Sequence, residues 1–311
     1  MKLVTYMRGA ARSVGVLHGP DILDLNLLAG RHWASDVSDV LGVEGWRALV
    51  DRLVDDAEDR LAADDPAPSP SFDTLLAASS LCPPVTRPSK VIGVGMNHRP
   101  FLAGIGEPVP DHPVLFHKTA AALTGSGQVI RVPPITTQVV PEGEVAVVIG
   151  RPGFAVPRSE VLAHIAGLTC ANDLSARDLE FRSSQWTAGK MLPTFCPLGP
   201  ALVTLDACPE LDDLHLVTRL NGVEIQSGSS ADLVFGVLEL VSLISELVAL
   251  EVGDVILTGT PSDLGALDPP IFLRHQDVIE VQVQSLGTLR NRVEELTTPA
   301  ARSAKMPTPA S

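Results

Sequence analysis

Glu142 and Glu144 lie two residues apart in PEGEVAVVIG, Pro141 to Gly150, at the mouth of an otherwise apolar run. Along a strand, residues i and i+2 share a face, so the two carboxylates project the same way. Adjacent carboxylates repel unless a proton, a basic side chain or a cation lies between them. A third acid, Asp173, follows the apolar IAGLTC in the polar stretch CANDLSARDLEFR. Two carboxylates from one strand and a third from a neighbouring turn would make an oxygen-rich site. Hard oxygen ligands with no Cys or His partner suit Mg²⁺, Mn²⁺ or Ca²⁺ rather than zinc. Spacing alone leaves a second reading open, in which one glutamate is exposed at a strand start and Asp173 caps a turn.

Other chemistries find little support. The 311 residues contain no GxxxxGKS/T phosphate loop, no HExxH pair and no GxSxG nucleophile elbow. The glycine-rich pieces GVGMN and TGSGQ lack the strand–GxGxxG–helix setting of a dinucleotide site. A net charge of −14 argues against a nucleic-acid partner, because phosphate binding needs clustered Lys and Arg. No uncharged apolar run approaches about 18 residues, so no membrane span is expected. The start, MKLVTYMRGAARS, lacks a secretory apolar core, and Cys82, Cys170, Cys196 and Cys208 form no CxxC pair. Both features favour reduced thiols in a cytoplasmic protein, each cysteine reading as a small core residue.

The elements that must position the three acids read as follows. KLVTYM and SVGVLHGPDILDLN predict short strands around a turn at Gly19-Pro20-Asp21. Residues 37 to 63 predict a helix with Leu41, Trp46, Leu49, Val50, Leu53 and Val54 along one face. DDPAPSPSFD and CPPVTRPSK mark a connecting segment and a domain boundary near Pro88. Beyond Lys90, KVIGVGMN, PVLFHK, QVIRVPP, EVAVVIG, PALVTL, LHLVTRLNG, DVILTGTP and DVIEVQVQSLGTLRNRV predict strands. One helix interrupts them in ADLVFGVLELVSLISELVAL, with Val234, Val237, Leu238, Val241, Ile244 and Val248 at helical spacing. The end of the chain, 298–311, reads as a disordered tail.

From Lys90 to Val293 the chain resembles the fumarylacetoacetate hydrolase (FAH) family. The family's motifs occur in order: KVIGVGMN, PVLFHK, EGEVAVVIG, NDLSARD, QWTAGKMLPTFCPLGP, LNGVEIQSGSSADLVF, LEVGDVILTGTPSDLG and GTLRNRV. The resemblance implies an α+β, mainly β fold, an FAH-type mixed β-sandwich roll with a small N-terminal α/β domain. The domains would be 1–87, including a linker, and a catalytic 88–297. It further implies a homodimer and an Mg²⁺-type ion, with Mn²⁺ or Ca²⁺ as alternatives, on Glu142, Glu144 and Asp173. Lys190 matches an active-site lysine and Thr260, in TGTP, a substrate contact; Arg177 is a further candidate contact. The substrate class implied is a small 2-oxo or β-dicarbonyl acid, reacting through an enol or enolate.

The chain also departs from that pattern. The family's NYxxHxxE segment, a lid helix whose His-Glu pair activates water, is NHRPFLAG here. Aligned without gaps, Phe101 stands at the His position and Gly104 at the Glu position, and Pro100 would disturb the helix interior. Val140-Pro141 replaces an Asp-Tyr before the glutamates, and Pro193 an Asp after the lysine. His98, His117 and Glu180 could stand in for the lost groups, or be surface and structural polar residues. Tautomerisation, decarboxylation and C–C lysis therefore rank beside hydrolysis. A homologue without turnover, binding metal for an interaction or ligand-sensing role, is the alternative.

Overall fold

The strand Gly143–Ile149 is buried along its whole length, and its neighbours explain why. In the computed structural model, which describes residues 1–62, 70–78 and 80–297, this strand lies inside a ten-stranded sheet. It pairs antiparallel with Ile165–Asn172 on one side and Val255–Leu257 on the other. Beyond Val255–Leu257 come Val91–Gly95, in parallel, and then Val114–Lys118. Residues buried on both faces read as an unbroken Val- and Ile-rich run, as EVAVVI does.

Each face is covered by a different layer. Val145, Val147 and Ile149 point into a core shared with a five-stranded sheet through Leu216, Val281, Val283 and Leu289. The helix Val237–Leu247 packs into the same core through Leu240, Val241 and Ile244. Ala146 and Val148 face the opposite core, which the leading segment fills with Leu3, Val14, Leu25, Val37 and Val50. The leading strands Lys2–Arg8, Ala11–His18 and Asp21–Asp24 extend the ten-stranded sheet, Lys2 and Leu3 pairing with Val203 and Leu202.

Three expectations about helices change. The predicted 37–63 helix is two helices, Val37–Leu41 and Trp46–Ala62, separated by Gly42–Gly45, so Val40 and Val50 reach one core from different axes. The later helix begins at Val237 rather than near Val234, because Asn97 holds the chain before it extended. Its Oδ1 accepts from Phe235 N at 2.9 Å, and its Nδ2 donates to Phe235 O at 3.1 Å. Pro100 does not disturb a helix interior; it occupies the first turn of a short helix, Arg99–Ile105, where the N–H has no partner to lose. The strands Ile165–Asn172 and Val223–Ser229 add to those predicted. The tail 298–311 and most of the DDPAPSPSFD connection lie outside the described residues.

Candidate active site

Antiparallel pairing brings the three acids together. Ala171 lies opposite Glu144 and Asn172 opposite Gly143, so the next residue, Asp173, arrives beside Glu142. Asp173 N donates to Glu142 O at 2.8 Å, and Glu142 N donates to the Asn172 side chain at 2.9 Å. Glu142, Glu144 and Asp173 are 4%, 2% and 0% exposed, and each offers an oxygen within 4.8 Å of the others. The exposed-glutamate reading therefore fails, since all three side chains are in the interior.

Cations bind part of this charge. Lys190 Nζ donates to Glu142 Oε2 at 2.7 Å and to Asp173 Oδ2 at 2.6 Å. Lys118, fully buried, donates to Asp173 Oδ1 and to Leu174 O. Arg177 Nη2 donates to Glu142 Oε1 at 2.6 Å and Asp263 Oδ1 at 2.8 Å, while its Nη1 reaches Glu180 Oε2 at 2.6 Å. Burial works against the Asp173 charge, yet Lys118 and Lys190 hold its carboxyl below the usual range. Glu144 differs, taking its hydrogen bond from a neutral group, Gly259 N, at 2.7 Å. Burial, then the Asp173 charge, pushes its carboxyl well above the ordinary range. Three buried carboxylates around one point, one of them without a cation in contact, fit a hard divalent ion, which would turn that repulsion into attraction.

The acids floor a cavity of about 250 Å³. Lys190, Arg177, Glu180 and Thr260 line it, so four of the residues expected beside the acids are present. Gln226 Nε2 donates to Thr260 Oγ1 at 2.8 Å, which leaves the Thr260 proton to donate elsewhere. Burial raises the Glu180 carboxyl, Lys190 and Arg177 opposing the shift.

Two candidates lie outside. His117 is exposed because it alternates with Phe116 and Lys118 on the strand Val114–Lys118, and those two face the site. His98 lines a separate small void with Leu233 and Pro261, its Nδ1 buried without a hydrogen-bond partner. Burial lowers its pKa to about 4. Phe101 does face the cavity, whereas Gly104 is exposed with open space around it.

Sequence reasoning missed Lys118, Glu107 and the aromatic residues of the wall. Period-two alternation in PVLFHK was the available signal for Lys118. Glu107 reaches the rim because the short helix ends at Gly106, left-handed at φ 73°, and the local signal for that stop was the glycine itself followed by Pro108.

Residues 90–294 match the family described as fumarylacetoacetate (FAA) hydrolase C-terminal. The chain is similar to the human mitochondrial oxaloacetate tautomerase FAHD2A, 41% identical over 236 residues, which cover 75% of this chain and 73% of that protein. It is also similar to oxaloacetate tautomerase YisK of Bacillus subtilis, 40% identical over 228 residues, 72% and 76% of the two chains. Among solved structures, a fumarylacetoacetate hydrolase from psychrophilic Exiguobacterium antarcticum matches with a TM-score of 0.80 at 30% identity, covering 95% and 100%.

Proposed function

The chain belongs to the fumarylacetoacetate hydrolase family, and from that premise we propose that it interconverts the enol and keto forms of a small 2-oxo acid. Glu142, Glu144 and Asp173 would hold Mg²⁺ or Mn²⁺. The observation that carries the reading is the pairing of this buried acidic floor and Lys190 with a short helix, Arg99–Ile105, that turns Phe101 rather than a histidine toward the cavity. Relatives named as oxaloacetate tautomerases support the same reaction class, and they weigh against a homologue without turnover.

When bound, the ion would supply Lewis acidity toward the developing enolate oxygen. The protein's own groups supply the rest. Burial disfavours the Lys190 charge, but Asp173, Glu142 and Glu180 outweigh it and keep Nζ protonated. Lys190 then delivers a proton to carbon 3 of the enol, while the enol hydroxyl proton leaves toward Glu180. Both groups reset by exchange with water. Thr260 donates its free hydroxyl proton to the substrate carboxylate, and Arg177 fixes Glu142 and Glu180 in place. Hydrolysis would need a base aimed at water, which typically contributes about 10²–10⁴-fold.

Decay of the enol absorbance of oxaloacetate with Mg²⁺ tests this. Acceleration above background that disappears with a chelator is expected. Efficient hydrolysis of an acylpyruvate would overturn the reading and point to Glu107 as the base. We also propose a homodimer, as the family resemblance implies; light scattering should return twice the mass of the single chain.

A further inference from the structure

The GVG of the strand Val91–Gly95 seats two aromatic rings. Gly93 and Gly95 share one face of the strand, and Gly93 lies opposite Phe116 in the register. A Cβ on Gly93 would stand 2.1 Å from Phe116 Cζ, and one on Gly95 would stand 2.4 Å from Trp186 Cζ3. Any side chain at either position would force the ring beside it to move. The two rings meet edge-on, with centroids 6.0 Å apart and planes at 64°. Phe101, Ile105 and Phe181 complete the wall. Phe181 is 66% exposed and Ile105 39%, large apolar surface that nothing in the single chain covers.

Charge is distributed just as unevenly. The two cations lining the cavity, Lys190 and Arg177, are tied to carboxylates at the floor. The charged group added at the rim is Glu107, an anion. Lys190 Nζ lies 4.7 Å from the Phe116 ring centroid and Arg177 Cζ 5.7 Å from that of Phe181. Both cations are already engaged by carboxylates, so a second substrate carboxylate along the wall would gain no free cation and would meet Glu107. An aryl or alkyl group there would bury apolar area against the rings.

We infer that the substrate is a 2-oxo acid bearing an aryl or bulky alkyl group, rather than a second carboxylate, on its enolising carbon. This rests on the keto–enol reading above, with the oxo-acid end on the acidic floor and the apolar group between Phe101, Phe116 and Trp186.

The test follows enol decay of phenylpyruvate and of oxaloacetate with the Mg²⁺-loaded parent and with Phe101→Arg. The parent should favour phenylpyruvate in kcat/KM by about tenfold or more. Phe101→Arg, which places a cation on the wall, should narrow or reverse that ratio. Ile105→Lys, at an exposed position, supplies the same charge should Phe101→Arg fail to fold. Turnover of oxaloacetate without a preference for phenylpyruvate overturns the substrate assignment and leaves the keto–enol reading intact. Turnover of neither, with Mg²⁺ bound by calorimetry, overturns both.

Discussion

Asp24 in the leading segment and the Glu142–Glu144–Asp173 set are both buried acidic sites, but their charges are met in different ways. Asp24 is surrounded by donors that belong to the fold. Its Oδ2 accepts from Tyr6 Oη at 2.5 Å and Ser13 Oγ at 2.9 Å, and its Oδ1 from Asn26 N at 2.8 Å and Leu27 N at 3.0 Å. Asp36 is similar: Ser38 Oγ and N and Thr86 Oγ1 and N donate to it. Burial opposes the Asp36 charge, but those bonds bring its carboxyl below the usual range. Each of these acids is alone, and each caps a helix start. At the cavity floor three acids share one small volume, and Glu144 has no cation in contact. A buried carboxylate satisfied by local donors holds structure. Carboxylates pressed together beyond what their own cations neutralise form a site for something that arrives from outside.

That contrast can be broken by substitution. Glu144→Ala should give the largest effect, lowering enol turnover about 10³-fold with a matching loss of Mg²⁺ binding by calorimetry. Unchanged ion affinity would mean that the three acids are not the ion's ligands. Lys190→Met should lower kcat about 10²-fold or more while the ion still binds. Parent-like kcat there would move the proton transfer to another group. Asp24→Ala should do the reverse. It strands Tyr6, Ser13 and two backbone N–H groups, costing about 3 kcal/mol in denaturant unfolding while activity per folded molecule and ion affinity stay unchanged.

The smallest effect concerns His98, a buried group in neither class. Its folded pKa of about 4 lies below the ordinary value of 6.5, so the unfolded chain binds the proton more readily. Stability is therefore complete above about pH 6.5 and falls as the pH drops toward 4, by about 2 kcal/mol at pH 5. His98→Phe should flatten that part of the stability profile and leave enol turnover at neutral pH within about twofold. A large loss of turnover would place His98 in the chemistry despite its separate void.

The acids, the strand that begins at the two glutamates and the family were legible in the sequence because they depend on local order. Period two puts Glu142 and Glu144 on one face, and the same period in PVLFHK already separates His117 from Phe116 and Lys118. Ordered motifs from Lys90 to Val293 carried the fold of that segment. The rest was decided by contacts between distant segments. Asp173 meets Glu142 only through the register of Ile165–Asn172 against Gly143–Ile149. The helix predicted over 37–63 breaks because both halves must reach one core, which hydrophobic spacing within a single helix does not reveal. Phe181, Trp186 and Glu107 come from short helices and turns with no period, and only packing against Gly93, Gly95 and the strand edge brings them to one cavity. Side-chain direction within an element follows from its repeat, whereas the meeting of two elements follows from which faces remain to be buried once the sheets have paired.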